Sequence, residues 1–410
     1  MDQDVAVVLG GTFPHRRLIE NLKARGYRTL LIDYHERPYA ADLADEHIRA
    51  STLDVEKVLQ IARTREASLV ISSCVDQANV IACSVSEQLG LPHPYSTETA
   101  NVVTNKSLMK KFMLANGIPT SRFISVQVPV ENVPENLCFP LIVKPSDSNS
   151  SKGVRRIDRL DELKSAVADA LALSRSGVAI VEEFIEGVEI GIDCFVQAQR
   201  ASVLMTKQRR KIPAEKDSAQ QIYGCTWPAK VSDSVKQEIQ RVASSIATSL
   251  GITSCPLMIQ AIVHDDKISV IEFAARFGGG ESCTIIEAMT GVDIIEISVN
   301  SFLGEVPPTV LVDQCQETYA ETFLYASQGA FGKIVYNPEI VHQNSNVVCV
   351  NTYKTAGMAI GSELSSNNRV GAIIVRSGKP EEIETITRDA LENIDVIDIH
   401  GQSIFRREIY

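Results

Sequence analysis

The sequence has a single tryptophan, only 6% aromatic residues, and no two cysteines at the spacing of a zinc or dithiol motif. Its nine cysteines (Cys74, Cys83, Cys138, Cys194, Cys225, Cys255, Cys283, Cys315 and Cys349) are scattered and odd in number. Most sit among apolar neighbours, where a free thiol behaves as a small hydrophobe in a reducing compartment. No apolar run approaches the roughly 18 residues of a membrane-spanning helix. The opening MDQDVAVVLGG lacks the basic start and long apolar stretch of a signal peptide. No membrane partner and a cytoplasmic location are therefore expected. Positive charge is also short: the net charge is -11 and the pI near 5.3. A surface built to grip nucleic-acid backbones is usually basic, so nucleic acid is excluded as the main partner. No period of roughly 20–50 residues marks a repeat array. What is present is ordinary globular composition, 44% hydrophobic and 22% charged, in 410 residues. That length suits two or three domains of roughly 100–200 residues.

Apolar runs at Val5–Leu9, Thr29–Asp33 and Ser68–Ser72 alternate with helical spacing, as in Leu18, Ile19 and Leu22. Strands alternating with helices predict a doubly wound βαβ unit with a parallel sheet over residues 1–95. Thr104 or Asn105 can cap a helix whose apolar face is Leu108, Met109, Phe112 and Met113, ended by Gly117 and Pro119. From Phe139 the pattern turns to β-branched strands at 141–144, 179–182, 190–196, 257–263 and 268–273, with helices at about 161–173 and 232–250. After Gly304, Pro307 and Pro308 come short strands at 317–325, 347–354 and 370–376, then a helix following Glu382.

The chemistry lies between Lys106 and Glu287. Lys144 ends the apolar strand Leu141–Lys144; alone, such a lysine is ordinarily a charge at a sheet edge. Small polar residues from Ser146 to Gly153 follow it, and small side chains let backbone N–H groups approach an anion. The Walker spacing is absent. Glu182, Glu183, Phe184 and Ile185 end a strand that can offer main-chain donors and acceptors to a base, with Glu189 near enough for ribose hydroxyls. The turn His264–Lys267 sets Gln260 beside Glu272 on one face, a pair of hard oxygen ligands for Mg²⁺. Arg276, followed by three glycines, can hold a carboxylate or phosphate at two points. The basic stretch Thr206–Lys211 reads either as a solvated loop or as a place where Arg209 or Lys211 meets an anionic substrate.

Together these segments resemble the ATP-grasp superfamily, in its carboxylate–amine ligase branch, which is related to biotin carboxylase and carbamoyl-phosphate synthase subunits. The resemblance covers nearly the whole chain and implies an ATP-grasp fold of mixed α/β and α+β class. It implies a first domain at 1–95, a nucleotide-binding domain at 96–305 with a flexible lobe at about 120–200, and a C-terminal α+β domain at 306–410. It assigns Lys106 and Lys144 to nucleotide phosphates, and Ser150, Ser151 and Gly153 to a loop that covers them. Glu182, Glu183, Phe184 and Ile185 become an adenine hinge, with Glu189 at the ribose. Gln260 and Glu272 become metal ligands, and Arg276 orients an acyl phosphate. ATP and Mg²⁺ are implied as cofactors, small-molecule carboxylate and amine as substrates, and a homodimer is favoured. The family commonly has asparagine two residues after the metal glutamate; here that position is Ala274. Glu281 and Glu287 are the acidic residues near enough in sequence to replace it. Bicarbonate activation and a non-catalytic nucleotide-binding protein are the alternatives. A dehydrogenase is disfavoured, because Gly10–His15 lacks the spaced third glycine of a dinucleotide loop.

Overall fold

The computed structural model describes residues 3–148, 152–212, 221–305, 315–337, 341, 345–362 and 365–410. Strands β1 (Val5–Leu9), β2 (Arg28–Asp33), β3 (Glu46–Arg49) and β4 (Ala67–Ile71) form a parallel sheet in the order β3-β2-β1-β4. Parallel strands need crossovers, and helices α1 (Phe13–Ala24), α2 (Val55–Thr64) and α3 (Asp76–Leu89) supply them. Ala6 to Leu9 are all buried, as expected of a central strand covered on both faces. β3 has no expected counterpart: Glu-His-Ile-Arg at a sheet edge carries one apolar residue and no readable pattern. The winding reverses between β1 and β4, so the loops leaving their carboxyl ends border a crevice.

Two helices follow, α4 (Thr97–Thr104) and α5 (Lys106–Ala115). Asn105 is the cap of α5, its side-chain oxygen accepting from the amides of Ser107 and Leu108. Met109 and Met113 are buried, but Leu108 is exposed, one position off their shared face.

Strands β5 (Phe123–Val126), β6 (Leu141–Pro145), β7 (Arg155–Ile157) and β8 (Ala179–Glu183) make an antiparallel sheet, order β5-β8-β6-β7, backed by helix α6 (Leu160–Leu173). Among the described residues the large sheet has eight strands: β9 (Val188–Gln197), β10 (Arg200–Lys211), β11 (Ile222–Trp227), β12 (Ser254–His264), β13 (Lys267–Ala274), β14 (Thr318–Tyr325), β16 (Val347–Thr352) and β18 (Arg369–Ser377). They run β13-β12-β9-β10-β11-β14-β18-β16, and the pairing of β11 with β14 carries the sheet across residue 305. Helix α7 (Asp233–Ser249) buries Val235, Ile239, Val242 and Ile246 in the same core as Ile190, Ile192 and Leu257 of this sheet. Each such side chain contributes about 1.5–3 kcal/mol relative to exposure. Helices α8 (Ser282–Thr290) and α9 (Ile294–Phe302) pack toward the first sheet. Strands β15 (Gly329–Tyr336), β17 (Ala359–Ile360) and β19 (Ile394–Asp398) form a small sheet with helix α10 (Ile383–Glu392). The stretch Thr206–Lys211 is not a solvated loop: it is the end of β10, hydrogen-bonded to both β9 and β11.

Candidate active site

The β12–β13 hairpin turns through Asp265 and Asp266, both at positive φ (46° and 56°), the backbone of a tight two-residue turn. The short turn fixes the register from His264 and Lys267 to Ala261 and Val270, and a β-bulge then shifts it by one residue, so that Gln260 stands opposite Glu272. Lys106, at the start of α5, reaches 3.2 Å from the Glu272 carboxylate and donates to the Ser148 carbonyl at 2.9 Å. Withdrawal from water raises the Glu272 carboxyl, yet Lys106, Lys144 and Arg209 together hold it down at about 2. Arg209 donates to the Gln260 side-chain oxygen at 2.9 Å. The Gln260 amide donates to Glu189 at 2.5 Å, and Glu189 is also paired with Arg209 and Lys211.

Lys144 is not an exposed charge at a sheet edge. It is buried at the end of β6, ion-paired with Glu182 of the neighbouring β8. Lys110 of α5 takes the other Glu182 oxygen at 2.6 Å, where Ser121 also donates at 2.8 Å. Burial raises the Glu182 carboxyl, but the two ammonium groups more than offset it and hold it at about 2. Burial lowers the Lys110 ammonium, which Glu182 only partly opposes. The amides of Glu183 and Phe184 donate to the carbonyls of Arg122 and Pro140. The Phe184 ring lies under the Arg156 guanidinium, 4.4 Å from its centroid. Gly153 has φ +73°, and a Cβ there would lie 2.6 Å from Leu173. Ser150 and Ser151 lie outside the described residues.

Lys106, Glu272, Ala274 and Arg276 line one small cleft, with Asp76, Thr104 and Met258. Ala274 is two residues beyond Glu272 on the same strand, so both present the same face. Arg276 is held by Asp76 at 2.6 and 3.0 Å, and its third nitrogen donates to the Phe277 carbonyl at 2.8 Å. The two acids named as substitutes for an asparagine at 274 are engaged elsewhere. Glu287 pairs with Arg17 at 2.7 Å, and Glu281 accepts from Tyr353, Asn351 and Thr284. Next to it lies Glu321 on β14, buried, accepting from the Glu281 amide at 3.0 Å. Burial, and then the Glu281 charge, push the Glu321 carboxyl up to about 7.

Among the described residues no three His, Cys, Asp or Glu side chains converge as a metal site. Gln260 and Glu272, two hard oxygen donors side by side, do fit a Mg²⁺ whose remaining ligands are phosphate oxygens and water.

Several residues at this site escaped the sequence reading. Lys207 is one: it alternates along β10 with Arg209 and Lys211, which the sequence offered as contacts to an anionic substrate, and the period of two was the available signal that all three share one face. Lys207 is buried, 3.0 Å from Asp193 and 2.6 Å from the Ser282 hydroxyl, while Asp193 accepts from the Gly278 amide. This trio fixes the glycine turn after Arg276. Lys110 and Asp76 left no local sign, since their partners are 72 and 200 residues away.

Residues 137–284 match the ATP-grasp domain family. The chain is 23% identical to a phosphoribosylamine–glycine ligase of Methanosarcina barkeri, over 98% of this chain and 95% of that one. The structure of an L-amino acid ligase from Bacillus licheniformis superposes with a TM-score of 0.75 at 20% identity, covering 97% of this chain and 100% of that one. The biotin carboxylase domain of 2-oxoglutarate carboxylase from Hydrogenobacter thermophilus, solved with MgADP and bicarbonate, gives 0.79 at 16% identity, covering 98% and 92%. These structural likenesses show a shared fold.

Proposed function

From a chain that carries an ATP-grasp domain on this fold, we propose an ATP-dependent ligase that activates a carboxylate as its acyl phosphate and joins it to an amine, releasing ADP and phosphate. The observation that carries the reading is the single cleft shared by Lys106, Glu272 and Arg276, with Lys144 near enough to lower the Glu272 carboxyl. Phosphoryl transfer asks a protein mainly for position and charge neutralisation, and these side chains offer both. Lys106 and Lys144 hold the phosphates, and their pairing with Glu272 and Glu182 already fixes where the ammonium groups stand. Magnesium, held by Glu272 and Gln260, would neutralise the phosphate charge. Arg276 grips the carboxylate. At the hinge, the Ile185 amide serves the base, because the amides of Glu183 and Phe184 are already bonded. The loop 146–154 covers the phosphates and keeps water from the acyl phosphate. The same reading takes a cytoplasmic homodimer. Among the described residues no helix is long and apolar enough to cross a membrane.

The relatives' names point to the carboxylates to try first: one is a ligase of glycine, another of L-amino acids. The test supplies MgATP and hydroxylamine with glycine, each L-amino acid, and bicarbonate in turn. A carboxylate-dependent hydroxamate with ADP is expected. AMP and pyrophosphate would refute the mechanism, and ATP turnover driven by bicarbonate alone would turn the assignment toward a carboxylase.

A further inference from the structure

We propose that Asp76, from the first βαβ unit, is a positioning residue for Arg276, presenting one edge of its guanidinium to the carboxylate substrate. The proposal rests on the reading of Arg276 as the group that grips that carboxylate. A guanidinium has five N–H donors in a fixed planar fork. Asp76 takes one from Nε at 2.6 Å and one from Nη2 at 3.0 Å, and the Phe277 carbonyl takes one from Nη1. One N–H is left on each terminal nitrogen. Two donors on adjacent nitrogens are what a carboxylate or phosphate accepts in two-point fashion. With the Nε–Nη2 edge fixed, the guanidinium plane cannot rotate about its long side chain, so the remaining donors keep one direction.

Asp76 is itself firmly placed. It is the first residue of α3, and the loop before it is tied down at both ends. The Ser72 hydroxyl donates to the Leu9 carbonyl at 2.8 Å, and the buried Asn79 amide donates to the carbonyls of Ser73 and Val75 at 3.1 Å. This loop leaves the carboxyl end of β4, at the crevice where the winding of the first sheet reverses.

The plainer account makes the ion pair a clip between two parts of the chain. Other pairs already do that work away from the cleft: Arg17 with Glu287 and Asp293, and Arg25 with Glu296. The Asp76–Arg276 pair differs in that both partners line the cleft with Lys106 and Glu272.

The experiment compares wild type, Asp76→Asn, Asp76→Glu, Arg276→Lys and the double variant Asp76→Asn/Arg276→Lys. Rates are measured as hydroxamate formed with the amino acid that works best for wild type, and MgATP affinity by calorimetry. Asp76→Asn should raise the carboxylate KM by about tenfold or more, while the MgATP Kd changes by less than about twofold. Asp76→Glu, which keeps the charge on a longer arm, should recover part of the loss. It also keeps the test open if the asparagine variant folds poorly. In the Arg276→Lys background the same change should add less than about twofold, because the two residues act as one unit. An Asp76→Asn enzyme with wild-type KM overturns the proposal. So does an equal loss of MgATP affinity, or a full additive loss in the double variant. A wild type that forms no hydroxamate with any carboxylate overturns the ligase reading itself, a distinguishable result.

Discussion

Replacing Glu182 with glutamine should destabilise the protein far more than the exchange of one oxygen for an NH2 group suggests. The carboxylate lies between two buried ammonium groups, Lys110 and Lys144, each less than a tenth exposed. Its carboxyl is held at about 2 against an ordinary 4.5, and at about 1.4 kcal/mol per tenfold this corresponds to about 3 kcal/mol. Glutamine leaves two buried like charges facing a neutral amide, and breaking a buried pair costs about 3–5 kcal/mol. The expected loss at pH 7 is therefore about 3–5 kcal/mol, read as a lowered urea midpoint. The pH dependence follows from a depressed acid. The Glu182 contribution is fully present above pH 4.5 and lost as pH falls toward 2, so the gap between wild type and Glu182→Gln should close in acid. Adding Lys110→Met to Glu182→Gln should recover much of the loss, because it removes the repulsion. A Glu182→Gln protein within about 1 kcal/mol of wild type at pH 7 would refute the reasoning, since a surface ion pair is worth no more than that.

Restoring a third oxygen ligand with Ala274→Asn should lower the Mg²⁺ concentration for half-maximal turnover by up to about tenfold, while Glu272→Gln should abolish activity. A magnesium titration at saturating ATP checks both, and an unshifted Ala274→Asn curve would show that position 274 does not face the metal. Glu321→Gln should stabilise the protein in alkali. The Glu321 carboxyl is raised to about 7, so the stability it permits is complete below pH 4.5 and lost as pH rises through 7. Thermal unfolding should show a gain of about 3 kcal/mol at pH 8 and parity at pH 4.5; no gain at pH 8 would mean that Glu321 is not the buried acid described.

What the sequence determined by itself was local. Asn105 caps α5 through bonds two and three residues away, and the short turn at Asp265–Asp266 sets the hairpin register as far as Ala261 against Val270; the β-bulge beyond it, which brings Gln260 against Glu272, left no mark in the sequence. Alternating apolar runs specify the first parallel sheet because burial on both faces leaves only that pattern. The departure at Ala274 was legible for the same reason, being two residues along the strand from Glu272. The tertiary structure decided the rest. Lys144 reads as a strand-end charge until β8 brings Glu182 beside it and α5 brings Lys110. Arg276 shows five donors in the sequence, and only the packing of the first unit against β13 engages two of them with Asp76, 200 residues earlier. Backbone hydrogen bonds, caps and turns act over a few residues and leave a mark in the order of the side chains. Ion pairs between distant segments depend on which surfaces meet, and in this protein that meeting determines which charges stand at the cleft.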